Sequence, residues 1–147
     1  MGITFHTVTV PAGSRHLRLS LFDEETDGAD DLDLFVFGPG GNFVGGSGGV
    51  TSAERVEIST PVAGDYTVVV HGFETDGPDA NYTLFAWALG ETAAGNLVAA
   101  GPDPATGPSG TVTLNWSGLT PGTRYLGAVS YHDGTSELGQ TLVAVTA

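Results

Sequence analysis

Seven of the eleven residues from position 23 to position 33 are Asp or Glu, and none is Lys or Arg. This acidic run leads directly into Leu32-Asp33-Leu34-Phe35-Val36-Phe37. Strand alternation puts Asp31, Asp33, Phe35 and Phe37 on one face and Leu32, Leu34 and Val36 on the other. Both faces are apolar beyond Asp33, which predicts a central strand buried on both sides. Two carboxylates at the mouth of such a strand repel by roughly 1 kcal/mol in water, and by more when partly buried. A cation between them reverses that sign. Hard oxygen ligands on a flexible loop suit Ca²⁺, so the run predicts a calcium-braced β-sandwich. The alternative is a solvated acidic loop that serves solubility.

Glycine supports strands over helices. It takes 23 of 147 positions, against the usual ~7%, and residues 14–27 form the longest stretch without Gly or Pro. Short strands joined by Gly-rich turns follow. The chain carries 17 acidic residues against four Arg and no Lys, for a formal net charge of −13. Phosphate recognition needs Lys and Arg, so nucleic acid is excluded as a partner, and so is an anionic membrane. No run approaches the ~20 apolar residues of a spanning helix. Cysteine is absent, which leaves metal as the available brace outside the cell. The first ten residues lack the basic and apolar regions of a signal peptide, which fits a piece of a longer precursor.

Residues 3–10 and 16–22 alternate as strands, the second with Leu17, Leu19 and Leu21 inward. Gly38-Pro39-Gly40-Gly41-Asn42 is a turn; Phe43-Val44 opens a short strand, and residues 45–49 read as a flexible tip. Residues 55–59 and 66–73 are further strands. Residues 81–89 are expected as one strand with Tyr82, Leu84, Ala86 and Ala88 on one face. Beyond Gly90 the texture changes. Residues 91–100 suit a strand or a short helix, and residues 101–110 form a Pro/Gly-rich connector. Three more strands are expected over 111–116, 124–131 and 140–145, the last two joined at Asp133-Gly134. The expectation is therefore an all-β antiparallel sandwich over residues 1–90, with a smaller Ig- or fibronectin-like β unit over 91–147. The words Phe22-Asp23-Glu24-Glu25-Thr26-Asp27-Gly28 and Phe73-Glu74-Thr75-Asp76-Gly77 echo each other. Chance in an acidic, Gly-rich chain explains this, or two loops built alike and close in space.

Catalytic patterns are poor. Gly45-Gly46-Ser47-Gly48-Gly49 fits G-x-S-x-G, but the nucleophile elbow needs a strand before and a helix after it, and no helix is expected here. Gly134-Thr135-Ser136 sits in a hairpin without a catalytic domain around it. The four His are scattered without zinc spacing, and nothing in the sequence fixes the distance between Asp31 and Glu74 that a glycosidase pair would need. The chain itself is thus expected not to be an enzyme. At least three exposed aromatics on one sheet would favour an adhesive module for polysaccharide or protein. A long uncharged edge strand would favour docking by strand addition.

The ordered set Asp-Leu-Asp-Leu-Phe-Val-Phe (31–37), Gly-Pro-Gly-Gly-Asn (38–42), Pro-Val-Ala-Gly-Asp-Tyr-Thr-Val-Val-Val-His-Gly-Phe (61–73) and Asn-Tyr-Thr-Leu (81–84) resembles the bacterial pre-peptidase C-terminal domain. The tail, with Trp116-Ser117-Gly118-Leu119 and Thr123-Arg124-Tyr125-Leu126-Gly127, looks like the segment that follows such domains in secreted subtilisin-like serine proteases of actinobacteria. The resemblance implies a jelly-roll-like sandwich appended to a secreted peptidase, with the parent catalytic domain as partner and an extracellular protein or polysaccharide as substrate. It also implies calcium at the Asp-x-Asp loop. Asp31 and Asp33 match that motif, while Asp23, Glu24, Asp27 and Asp30 match only its acidic surroundings.

Overall fold

The protein is described here by a computed structural model covering residues 2–101 and 109–147; most of the connector expected over residues 101–110 lies outside the described residues. The chain divides into two compact units, Met1–Glu91 and Thr92–Ala147.

The first unit is an antiparallel β-sandwich. Its strands are β1 (Ile3–Val10), β2 (His16–Ser20), β3 (Asp31–Phe37), β4 (Phe43–Ser47), β5 (Arg55–Ser59), β6 (Gly64–Glu74) and β7 (Phe85–Leu89). One sheet has the order β1-β6-β3-β4 and the other β5-β2-β7. Every connection except the β3–β4 hairpin passes from one sheet to the other. The inner residues follow from the period-2 patterns. Leu17 and Leu19 of β2 and Leu21 just beyond it meet Leu32, Leu34 and Val36 of β3, Val68 and Val70 of β6, and Val56 of β5 in one core. Each fully buried aliphatic side chain contributes about 1.5–3 kcal/mol.

Two expectations need correction. β3 is central in its sheet, between β6 and β4, but only its Leu32, Leu34 and Val36 face is fully buried. Asp31, Asp33, Phe35 and Phe37 are half-buried, screened by neighbours in their own sheet: Phe37 lies edge-on to Phe43, with ring centroids 5.7 Å apart. The strand expected over 81–89 begins only at Phe85. Residues 81–83 bond to the acidic loop instead: Asp27 N donates to Asn81 O at 3.1 Å and Thr83 N to Glu25 O at 3.2 Å.

The glycines at 45 and 46 are not a flexible tip. Both belong to β4. A Cβ on Gly45 would come within 2.6 Å of Val56 Cγ1 on the facing sheet, and one on Gly46 within 3.1 Å of the Phe35 ring and 3.2 Å of the Phe43 ring. The sequence omits side chains here because the sandwich closes on one face of β4 and two rings lie over the other.

The second unit holds β8 (Leu97–Ala100), β9 (Thr113–Trp116), β10 (Arg124–His132) and β11 (Glu137–Thr146), paired as two antiparallel ribbons, β8-β9 and β10-β11. β8 resolves the strand-or-helix alternative for its segment as a strand. The β10–β11 turn forms at Asp133-Gly134, where Asp133 Oδ1 accepts from Thr135 N at 2.9 Å, Thr135 Oγ1 at 2.7 Å and Ser136 N at 2.8 Å. These bonds hold the Asp133 carboxyl down at about 2. No described residue of this unit is fully buried, as expected when four strands share a thin core.

Two substitutions separate the contributions. Leu34→Ala, at a position with 0% exposure, should cost about 2–5 kcal/mol. Gly45→Ala should cost about 1–3 kcal/mol by overpacking against Val56, although alanine suits a strand no worse than glycine does. Urea denaturation of each variant measures both, and an unchanged midpoint for Gly45→Ala would restore the flexible-tip reading.

Candidate metal centre

The acidic loop leaves β2 at Leu21, whose N–H donates to Glu54 O at 2.9 Å. It makes one 3-10 turn over Asp23–Glu25. Thr26 Oγ1 then donates back to Phe22 O at 3.1 Å. Asp27 turns toward the segment before β7: its Oδ1 accepts from Asn81 N and its Oδ2 from Asn81 Nδ2, both at 2.6 Å. The chain then drops inward, and Asp30 is 5% exposed.

A second acidic loop meets it there. A register shift at the start of the β3–β6 ladder sets Asp31 opposite Glu74. Asp76 N donates to Asp30 Oδ1 at 3.0 Å, and Ala29 N donates to Asp76 Oδ2 at 3.0 Å. Ser52 Oγ donates to Asp30 O at 2.7 Å from the segment ahead of β5. The two loops that echo each other in sequence are thus neighbours in space. Glu74 and Asp76 were not among the candidate ligands; the echo was the signal that could have found them.

The six candidate ligands separate into groups. Asp23 and Glu24 are exposed on the 3-10 turn. Both oxygens of Asp27 are engaged by Asn81. Asp33, on the outer face of β3, bonds through Oδ2 to His71 Nδ1 at 3.1 Å. Of the six, Asp30 and Asp31, neighbours in sequence, each keep a buried oxygen, Asp30 Oδ2 and Asp31 Oδ1, without a hydrogen-bond partner. Among the described residues, no three His, Asp or Glu side chains converge as a metal-binding group. A buried carboxylate oxygen without a partner is costly, and Asp31 facing Glu74 across the ladder adds like-charge repulsion. A cation would relieve both.

The remaining polar groups are structural. Ser47 Oγ donates to Glu54 Oε2 and Glu54 is 5% exposed, so this serine braces the β4–β5 connection. Ser136 sits in the hairpin turn capped by Asp133. His16 is 6% exposed and its Nε2 has no partner. Burial lowers its pKa, with Glu57 opposing and Arg18 assisting. Among the described residues, no helix is long and apolar enough to cross a membrane.

Residues 3–72 match the family model of the bacterial pre-peptidase C-terminal domain. The chain is also 32% identical over 82 residues to Pyrolysin of Pyrococcus furiosus. That stretch covers 56% of this chain and 6% of that protein, so the chain spans a small part of the relative it matches.

The Asp27–Asn81 clamp should respond to pH. Hydrogen bonds from the Asn81 side chain and backbone hold the Asp27 carboxyl below the ordinary carboxylate range. A depressed carboxyl stabilises the fold above its unfolded pKa, near 3.9, and that stability is lost as pH falls through the lower folded value. The Asn81 backbone and side-chain amide resonances should therefore move together only below about pH 4. Movement at higher pH would mean that the clamp does not form.

Proposed function

We propose, from the match of residues 3–72 to the family model of the bacterial pre-peptidase C-terminal domain, that this chain is the non-catalytic accessory region of a secreted subtilisin-like serine protease. The family match carries this reading. The chain's own motifs support it: the serine words sit in a packed strand and a hairpin turn rather than at a nucleophile elbow. The role is to stabilise, target or assist secretion of the parent catalytic domain outside the cell. The net charge of −13 favours solubility there. An antibody against the chain should detect, in the culture medium of the source organism, a species larger than 15.0 kDa by a catalytic domain. Detection inside cells alone would overturn the reading.

Calcium completes the proposal. Asp30 Oδ2 and Asp31 Oδ1 would hold the ion, with Glu74 adding charge across the ladder and water filling the remaining positions of a six- to eight-oxygen shell. The ion supplies the positive charge that two buried carboxylates otherwise lack. Its presence would fix the two acidic loops to each other and hence the end of β3. At calcium concentrations about a hundred times Kd, linkage gives roughly 2.7 kcal/mol of added stability, a rise of several degrees in Tm. Thermal melts with chelator, calcium and magnesium should show a calcium-specific rise. Asp30→Asn and Asp31→Asn should abolish it, whereas Asp27→Asn should leave it in place. No shift would make the loop a solvated acidic surface.

A second reading, an adhesive module, is favoured by one observation. Phe5, Phe43 and Phe73, all on strands of the four-stranded sheet, are 69%, 59% and 60% exposed.

A further inference from the structure

The four-stranded sheet ends in two unlike edges. β4 is five residues long, carries two glycines and shifts register against β3. It is blunted in the way natural edges usually are. β1 is the opposite. Its eight residues, Ile-Thr-Phe-His-Thr-Val-Thr-Val, contain no Asp, Glu, Lys, Arg or Pro. They pair with β6 in unbroken register from Ile3↔His71 to Val10↔Gly64. Among the described residues, no strand pairs with the far side of β1. A long, regular, uncharged edge presents a row of backbone donors and acceptors ready for another strand.

The face beside that edge is apolar in its middle. Phe5 of β1, Val69 of β6 and Phe35 of β3 lie in one cross-strand row that ends over Gly46 of β4. Ile3 is 59% exposed and Phe5 69%, both next to the free edge. Carboxylates bracket the row. Asp65 lies opposite Thr9 at one end, and Asp33, Asp31 and Glu74 lie at the other. The strands of this sheet contain these four acids and no Arg or Lys. The three arginines of the first unit are elsewhere: Arg18 on β2 and Arg55 on β5 pair with Glu57, and Arg15 pairs with Glu91.

We propose that the free edge of β1 accepts a cationic, extended peptide segment of another protein as a fifth strand. Backbone hydrogen bonds to β1 supply the binding, apolar side chains at alternate positions lie beside Phe5 and Ile3, and basic residues at the segment's ends meet Asp65 and the Asp33–Glu74 cluster. Charge decides the occupant. A second copy of this chain would bring another −13 to the same edge, whereas a basic segment is drawn to it. This inference is independent of the protease reading; it shares Asp31 and Glu74 with the proposed calcium site, so the titration is run in chelator.

The test is fluorescence anisotropy of a labelled, end-blocked nonapeptide, Lys-Thr-Val-Thr-Val-Thr-Val-Thr-Lys, whose Lys and Val share one face of a strand, titrated with the full chain at low and high salt. The peptide should bind, and more weakly as salt rises. Two control peptides should fail: one with Glu in place of both Lys, and one of the same sequence with every second backbone amide methylated, which keeps the charge and removes donors of the ladder. Phe5→Lys and Thr7→Lys should each weaken binding about tenfold with the Tm held, since both side chains are exposed and an edge lysine opposes strand addition. Absent binding of the lysine-ended peptide, or equal binding of its methylated form, overturns the proposal. So does a dimer in sedimentation that Phe5→Lys dissolves, which would give the edge to a second copy. Retention on insoluble polysaccharide that Phe5→Lys abolishes overturns it as well, since the face would then serve a sugar chain.

Discussion

One end of the sandwich closes around a buried carboxylate. Asp30 holds the second acidic loop through Asp76 N and the segment before β5 through Ser52 Oγ, so three separate parts of the chain depend on its position. The cost is electrostatic. Asp30 and Asp31 each keep a buried oxygen without a partner, and Asp31 faces Glu74. Burying a carboxylate oxygen without a partner opposes folding unless something positive joins it. Asp27 and Asp30, the last two acids before β3, carry structural contacts, to Asn81 and to Asp76 N.

The same end shows why β3 must be central. It receives the constrained loop at Asp31 and leaves by the hairpin to β4, so β6 and β4 must flank it. Its inner face then meets β2 across the core. Glycine at 45 lets the facing sheet approach β4, and glycine at 46 lets the Phe35 and Phe43 rings lie over it. The flexibility that glycine suggests in a sequence is, at these two positions, close approach.

Strand content was legible because alternation is local. Leu17, Leu19 and Leu21, and Leu32, Leu34 and Val36, declare their inner face within one segment, and the structure places all six in the core. The ends of strands were less legible. Residues 81–83 alternate like the residues after them, but two Asn81 bonds to Asp27 hold them off the sheet, and that partner lies 54 positions away. The site was legible in composition and not in membership. Seven acids in eleven positions announce a carboxylate cluster, but Asp27 and Asp33 are claimed by Asn81 and His71, which no spacing rule exposes. Glu74 joined the cluster through a β-sheet register that only the folded chain defines, and Asp76 through its bonds to Ala29 and Asp30.

Charge also explains how a chain can keep an edge like β1 unprotected. Neighbouring strands lie about 4.8 Å apart, and the Debye length at physiological ionic strength is about 8 Å. The carboxylate of Asp65 on the adjacent strand β6, opposite Thr9, therefore still acts at the free edge of β1. The usual device is a charged residue on the edge itself; here the charge sits one strand inward. A lysine on β1 would block every approaching strand alike. Acids one strand away oppose a second copy of an acidic chain and leave the backbone open to a basic one, so the edge is selective where a charged edge would only be closed.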